Sequence, residues 1–134
     1  GIDGPMGPIL ADVWRAEHTA RGNWIERFVG KNDYSDANGW YNVGREKNEF
    51  FPLVDFQKGQ NLVSLKTVDT TGSTWLSRME DHIGDLGRNG ATVNGKPANM
   101  ILDLRVQPGG AADASRLIQF GRANNVTVVV KEFK

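Results

Sequence analysis

The stretch that most narrows the possible folds is residues 99–133. NMILDLRVQP, residues 99–108, is apolar and β-branched, and stops at Pro108 and two glycines; it predicts a strand. AADASRLIQFGRANN, residues 111–125, predicts a helix, with Asp113 in its first turn and Asn124–Asn125 as a stop. VTVVVKEF, residues 126–133, predicts a second buried strand. A strand, a helix and a strand in this order predict a parallel pair with a right-handed crossover. Alternation puts Asp103 and Arg105 on one face of the first strand, where they can pair.

The upstream half supplies the remaining layers. Residues 9–17 (ILADVWRAE) can form a short helix, and residues 18–30 a second one, with Ile25, Phe28 and Val29 on its buried stripe and Gly30 as its stop. By spacing alone Glu26, beside that stripe, is an ordinary solvated glutamate. Residues 31–48 are polar and turn-rich and read as a loop or weak hairpin, with Trp40 and Tyr41 embedded. Phe50 to Asp69 reads as two strands joined by a turn at residues 58–61. Residues 74–87 place Trp75, Leu76, Met79, Ile83 and Leu86 on one helical stripe that ends at Gly87, with His82 off it. Residues 88–98 read as loop. The order α-β-β-α-β-α-β predicts an α/β fold: a mixed central β-sheet flanked by helices, with the Phe50–Asp69 pair as its functional edge. The 134 residues suit one domain, residues 9–134, behind a Gly/Pro linker at residues 1–8, as in a piece of a longer protein.

The Phe50–Asp69 pair is where chemistry enters. Asp55 closes the first strand. In the second, Ser64 and Lys66 share a face, about 7 Å apart. Buried strands rarely carry Asp and Lys unless the charges meet something. One reading is a cross-strand ion pair; the other is a site that holds a metal ion and a phosphate. The chain has no cysteine, which excludes disulfides and thiolate metal sites and leaves oxygen and imidazole ligands, favouring a hard ion such as Mg²⁺. Sixteen basic and sixteen acidic residues balance, so no global basic footprint argues for nucleic acid, though a local one is open. No apolar run approaches a membrane span, and no signal peptide is legible.

A helix glutamate, a strand aspartate and a lysine on the adjacent strand are what phosphodiester hydrolysis requires: carboxylates for a divalent ion and a cation for the developing charge. At Glu26, Asp55 and Ser64-x-Lys66 the chain resembles the PD-(D/E)xK nuclease superfamily. More narrowly, ARGNWIE, FPLVDF and VSLKTVDTTG resemble the C-terminal toxin domains of contact-dependent growth inhibition and polymorphic toxin systems, where the triplet is often Ser-x-Lys. The resemblance runs from about residue 10 to the end and implies a restriction-endonuclease-like core. It implies Glu26, Asp55, Ser64 and Lys66 as catalytic residues, with Glu26 and Asp55 on the metal. Ser64 stands where the superfamily has an acid, and a hydroxyl is a poorer ligand for a hard cation. The Leu65 carbonyl can contribute, whereas Asp69 falls on the face opposite Lys66.

The same resemblance implies delivery as part of a secreted effector into the cytoplasm of a target bacterium, cleavage of tRNA there, and a cognate immunity protein. Arg21, Arg45, Lys47, Lys58 and Arg78 are candidate cations for gripping RNA, each with an ordinary reading as a solvated charge. Two alternatives remain open on the residues alone: a DNase of the same fold, and a catalytically inactive nuclease fold that only binds a partner.

Overall fold

The computed structural model describes residues 13–43, 53–88 and 91–133. After a 3₁₀ turn at Val13–Arg15, helix α1 runs from His18 to Asp33. Strands β1 (Tyr41–Asn42), β2 (Phe56–Lys58) and β3 (Asn61–Val68) follow, then helix α2 (Trp75–Arg88). A small hairpin, β4 (Thr92–Val93) and β5 (Lys96–Pro97), leads into β6 (Asn99–Val106). Helices α3 (Ala111–Ala114) and α4 (Arg116–Ala123) then carry the chain to β7 (Val126–Glu132). Among the described residues the main sheet has the order β1-β2-β3-β6-β7, antiparallel across β1-β2-β3 and parallel across β3-β6-β7. The expected mixed α/β sheet flanked by helices is therefore present, and residues 99–133 form the parallel pair read from their pattern. None of the described helices is long and apolar enough to cross a membrane.

Alternation along β3 sorts the two layers. Val63 and Leu65 face α1 and pack with Ile25, Val29, Phe56 and Phe133. Leu62 and Val68 face α2 and α4 and pack with Met79, Ile83, Leu86 and Leu117. β6 lies between β3 and β7; Leu102, Leu104 and Val106 on one of its faces are fully buried, and Asp103 and Arg105 on the other are buried as well.

Four expectations change. Gly30 does not end α1: the Phe56 ring lies against it, a Cβ there would come 2.9 Å from Phe56 Cζ, and the helix continues to Asp33. The Phe50–Asp69 pair is not the sheet edge, because β3 is central; three residues of β2 pair with it, and among the described residues no strand pairs with β3 beyond Val63 on that side. The helix over residues 111–125 breaks at Ser115 into α3 and α4 and ends at Ala123. Within the expected loop at residues 88–98, Asn94 and Gly95 take positive φ (54° and 79°) and close the β4–β5 hairpin, the geometry for which Asn-Gly is suited. The linker at residues 1–8 and the short helix as far as residue 12 lie outside the described residues.

The Asp103–Arg105 pair read from alternation is realised and extended. Arg105 Nε donates to Asp103 Oδ1 at 2.7 Å, and Arg105 Nη2 to Asp103 Oδ2 and Asp33 Oδ2, both at 2.9 Å. The Tyr34 hydroxyl donates to Asp103 as well. This network ties the C-terminal end of α1 to the centre of the sheet.

Close packing on the other face yields a first expected result. A Cβ on Gly121 would lie 2.5 Å from Val128 Cγ2 and 2.6 Å from the Val126 carbonyl oxygen. Gly121→Ala therefore pushes α4 off β7 and is expected to cost about 1–3 kcal/mol, read from the urea midpoint with an unchanged m-value.

Candidate functional site

Asp55 does not close a strand as expected: β2 begins only at Phe56, and Asp55 precedes it, where the β2–β3 ladder opens. Its N–H still donates to Val63 O at 2.8 Å, and its carbonyl accepts from Val43 N at 2.9 Å. One residue pair further along, its carboxylate replaces the missing strand and accepts the Leu65 N–H at 2.7 Å. N–H and C=O of one strand residue point to the same side, so the Leu65 carbonyl opens onto the same gap. Burial raises the Asp55 pKa; the Leu65 N–H and the Lys66 charge oppose it.

Glu26 reaches this place from α1. Its pKa is pushed up to about 7, first by burial and then by the neighbouring Asp55 charge, against the pull of Lys66 and Thr67. Thr67 Oγ1 is close enough to favour the charged form but closes no well-formed hydrogen bond, and is itself buried without a partner. Gly22 lies one turn earlier, and a Cβ there would make only an ordinary contact with the carboxylate, 3.6 Å from Glu26 Oε2.

Lys66 is the residue all of these feel. Its charge acts on Glu26, on Asp55 and on His82 of α2. Among the described residues it makes no ion pair within 4.0 Å, so the cross-strand Asp–Lys bridge considered above is not formed. The Lys66 side chain lies on the α2 side of β3 in a groove with His82, whereas Glu26 lines a separate groove along α1 with Tyr34 and Phe56, so Lys66 reaches the two half-buried carboxylates through its field and not within one cleft. An ammonium with no ion pair among the described residues can receive a phosphate oxygen.

Ser64 shares the α2-facing side of β3 with Leu62 and is 1% exposed. Its Oγ lies 2.8 Å from His82 Nε2. His82 has its pKa lowered to about 4, by burial and by Lys66, with Asp85 opposing; the ring is neutral at physiological pH. The off-stripe position of His82 gave it no distinction in the sequence. The usable signal was Ser64, a hydroxyl on a buried strand face that needed a partner from the helix above it.

The other candidates disperse. Arg21 stacks over Trp14 (5.4 Å) and approaches Asp69 at 4.0 Å. Asp69 is turned to Thr71, whose N–H and hydroxyl it accepts. Arg78 is exposed and flanks two adjoining grooves, one shared with Arg21 and Thr67, the other with Lys66 and His82. Lys58 lies over Trp40 at the turn end of the β2–β3 hairpin, away from Lys66. Arg45 and Lys47 lie outside the described residues.

Among the described residues no three His, Asp or Glu side chains cluster as a full metal-ligand set. Two carboxylates and a strand carbonyl are nonetheless a hard-oxygen donor set, and Mg²⁺ is commonly held by one or two carboxylates with water and substrate phosphate completing its shell. Glu26 and Asp55, both half-buried and both pushed toward protonation, fit such an ion. No protein-family model, curated protein or solved structure matches this chain.

Proposed function

We propose that this chain is a metal-dependent endonuclease of the PD-(D/E)xK kind that hydrolyses phosphodiester bonds in tRNA. In the same reading it is the toxin domain of a larger secreted effector, acts in the cytoplasm of a target bacterium and is neutralised by a cognate immunity protein. The observation that carries the nuclease reading is that Lys66, with no ion pair among the described residues, lies within electrostatic reach of the half-buried carboxylates of Glu26 and Asp55 where β2 leaves β3. The mixed sheet with helices on both faces is compatible with it. The choice of tRNA and the delivery route rest on the resemblance at ARGNWIE, FPLVDF and VSLKTVDTTG.

Glu26, Asp55 and the Leu65 carbonyl are the groups that would hold Mg²⁺; bound there, the ion supplies an activated water and neutralises charge on the phosphate. The chain's own part is positional and electrostatic. The Leu65 N–H fixes the Asp55 carboxylate. Lys66 meets the negative charge that builds on the non-bridging oxygens. Glu26, whose pKa is raised in the metal-free protein by burial and by Asp55, would give up its proton to bind the ion.

Total tRNA and supercoiled plasmid, each incubated with the protein in Mg²⁺, test the choice of substrate. tRNA is expected to be cut at a defined position while the plasmid stays closed, and Lys66→Ala is expected to slow tRNA cleavage on the order of a thousandfold. Plasmid nicking with intact tRNA would move the activity to DNA. Neither substrate cut by folded protein would leave only a binding module.

A further inference from the structure

The groove between β3 and α2 holds a group that the proposed hydrolysis does not use. It is roughly 430 Å³, room for a nucleotide, and is lined by Lys66, Thr67, Arg78 and His82 among others. His82 faces Ser64 and Lys66 from β3, with Arg78, Asp81 and Asp85 around it on α2. Ser64 fixes one ring nitrogen, Nε2, at 2.8 Å. Among the described residues nothing bonds the other, Nδ1, and it is not a buried orphan; it is left to the groove.

A phosphate is gripped by cations, and this groove has them in Lys66 and Arg78. A neutral, anchored ring beside them is suited to a neutral partner. Ser64 can donate or accept, so Nδ1 can do either in turn. The sugar is the part of a nucleic acid that adjoins a phosphate, and its 2′-hydroxyl, both donor and acceptor, is what separates RNA from DNA at a site. We propose that His82, held by Ser64, contacts the ribose 2′-hydroxyl of the nucleotide on the 5′ side of the scissile phosphate, so that this groove selects RNA. The inference rests on the nuclease reading above. It gives Ser64 a task other than metal binding: it is the positioning residue of His82.

The test uses the full chain and an RNA oligonucleotide that spans the mapped tRNA cleavage site, all-ribose or with one 2′-deoxy nucleotide 5′ of the scissile phosphate. Wild type is expected to cut the all-ribose oligonucleotide at least about tenfold faster by kcat/KM, the scale of one lost hydrogen bond to a buried partner. In His82→Ala that ratio is expected to fall to near one, and in Ser64→Ala to an intermediate value. His82→Gln serves the same purpose if the alanine variant fails to fold, and thermal midpoints check folding throughout. An unchanged ratio in folded His82 variants, or an equal loss on both oligonucleotides, makes His82 a packing residue and overturns the proposal. A deoxy oligonucleotide that no form of the protein cuts also overturns it, because the hydroxyl is then the nucleophile. Wild-type protein that cuts neither tRNA nor plasmid removes the nuclease reading itself, a result distinct from these.

Discussion

Glu26→Gln is expected to stop tRNA cleavage, by on the order of a thousandfold, while making the metal-free protein more stable at alkaline pH. The two effects share one cause. Burial and the Asp55 charge raise the Glu26 pKa from 4.5 to about 7, so the folded state binds a proton over a range where the unfolded chain has released it. The stability this contributes is complete below pH 4.5 and is lost as pH rises through about 7; above that, folding carries a half-buried carboxylate at a cost. Glutamine keeps the shape and never charges. In EDTA, the urea midpoint of Glu26→Gln should match wild type near pH 4.5 and exceed it at pH 8.5. The gain is about 2 kcal/mol, taken below the full linkage value because the group is partly exposed. Lower stability than wild type at pH 8.5 would mean that Glu26 is a structural residue.

Arg105→Leu is expected to destabilise the protein by about 3–5 kcal/mol, a large part of the stability of a single domain. Arg105 is buried and lies between Asp103, which is 2% exposed, and Asp33 at the end of α1. Burial disfavours the guanidinium charge, but its bonds to Asp103 and Asp33 outweigh this and hold it more firmly protonated than usual. Tyr34, raised in pKa by burial and by Asp103, completes the cluster. Removing only the cation leaves a buried carboxylate with a single phenol for a partner, whereas Arg105→Leu with Asp103→Leu removes both charges and should recover most of the loss. A double-mutant cycle by chemical denaturation checks this: additive losses would mean that the pair does not couple. The effect reaches the site because Asp33 and Tyr34 end the helix that carries Glu26.

What could be read from the sequence follows from how local each feature is. The strand-helix-strand pattern of residues 99–133 is legible because both strands are largely apolar and β-branched and flank an amphipathic helix. Asp103 with Arg105 was legible from alternation within one strand. Asp33 and Tyr34 were not, being about seventy positions away in sequence. Gly30 read as a stop because a helix-end glycine and a packing glycine look alike until Phe56 is known to lie against it. Glu26, Asp55 and Lys66 were picked out by charge in otherwise apolar segments, and by resemblance. How far their charges reach one another depends on where β2 ends, which periodicity does not specify. A lone helical histidine has no pattern in the sequence; only the strand packed against it, with buried Ser64 facing α2, distinguishes His82.

The central claim is that Glu26, Asp55 and Lys66 form one metal-dependent site for cutting RNA. Its most direct test is the initial rate of tRNA cleavage by wild type, Asp55→Asn and Lys66→Ala, each measured in Mg²⁺ and in EDTA with folding confirmed by circular dichroism. Cleavage only by wild type, and only in Mg²⁺, is the predicted result. Cleavage that survives EDTA, or that a folded Asp55→Asn protein carries out at the wild-type rate, would contradict it.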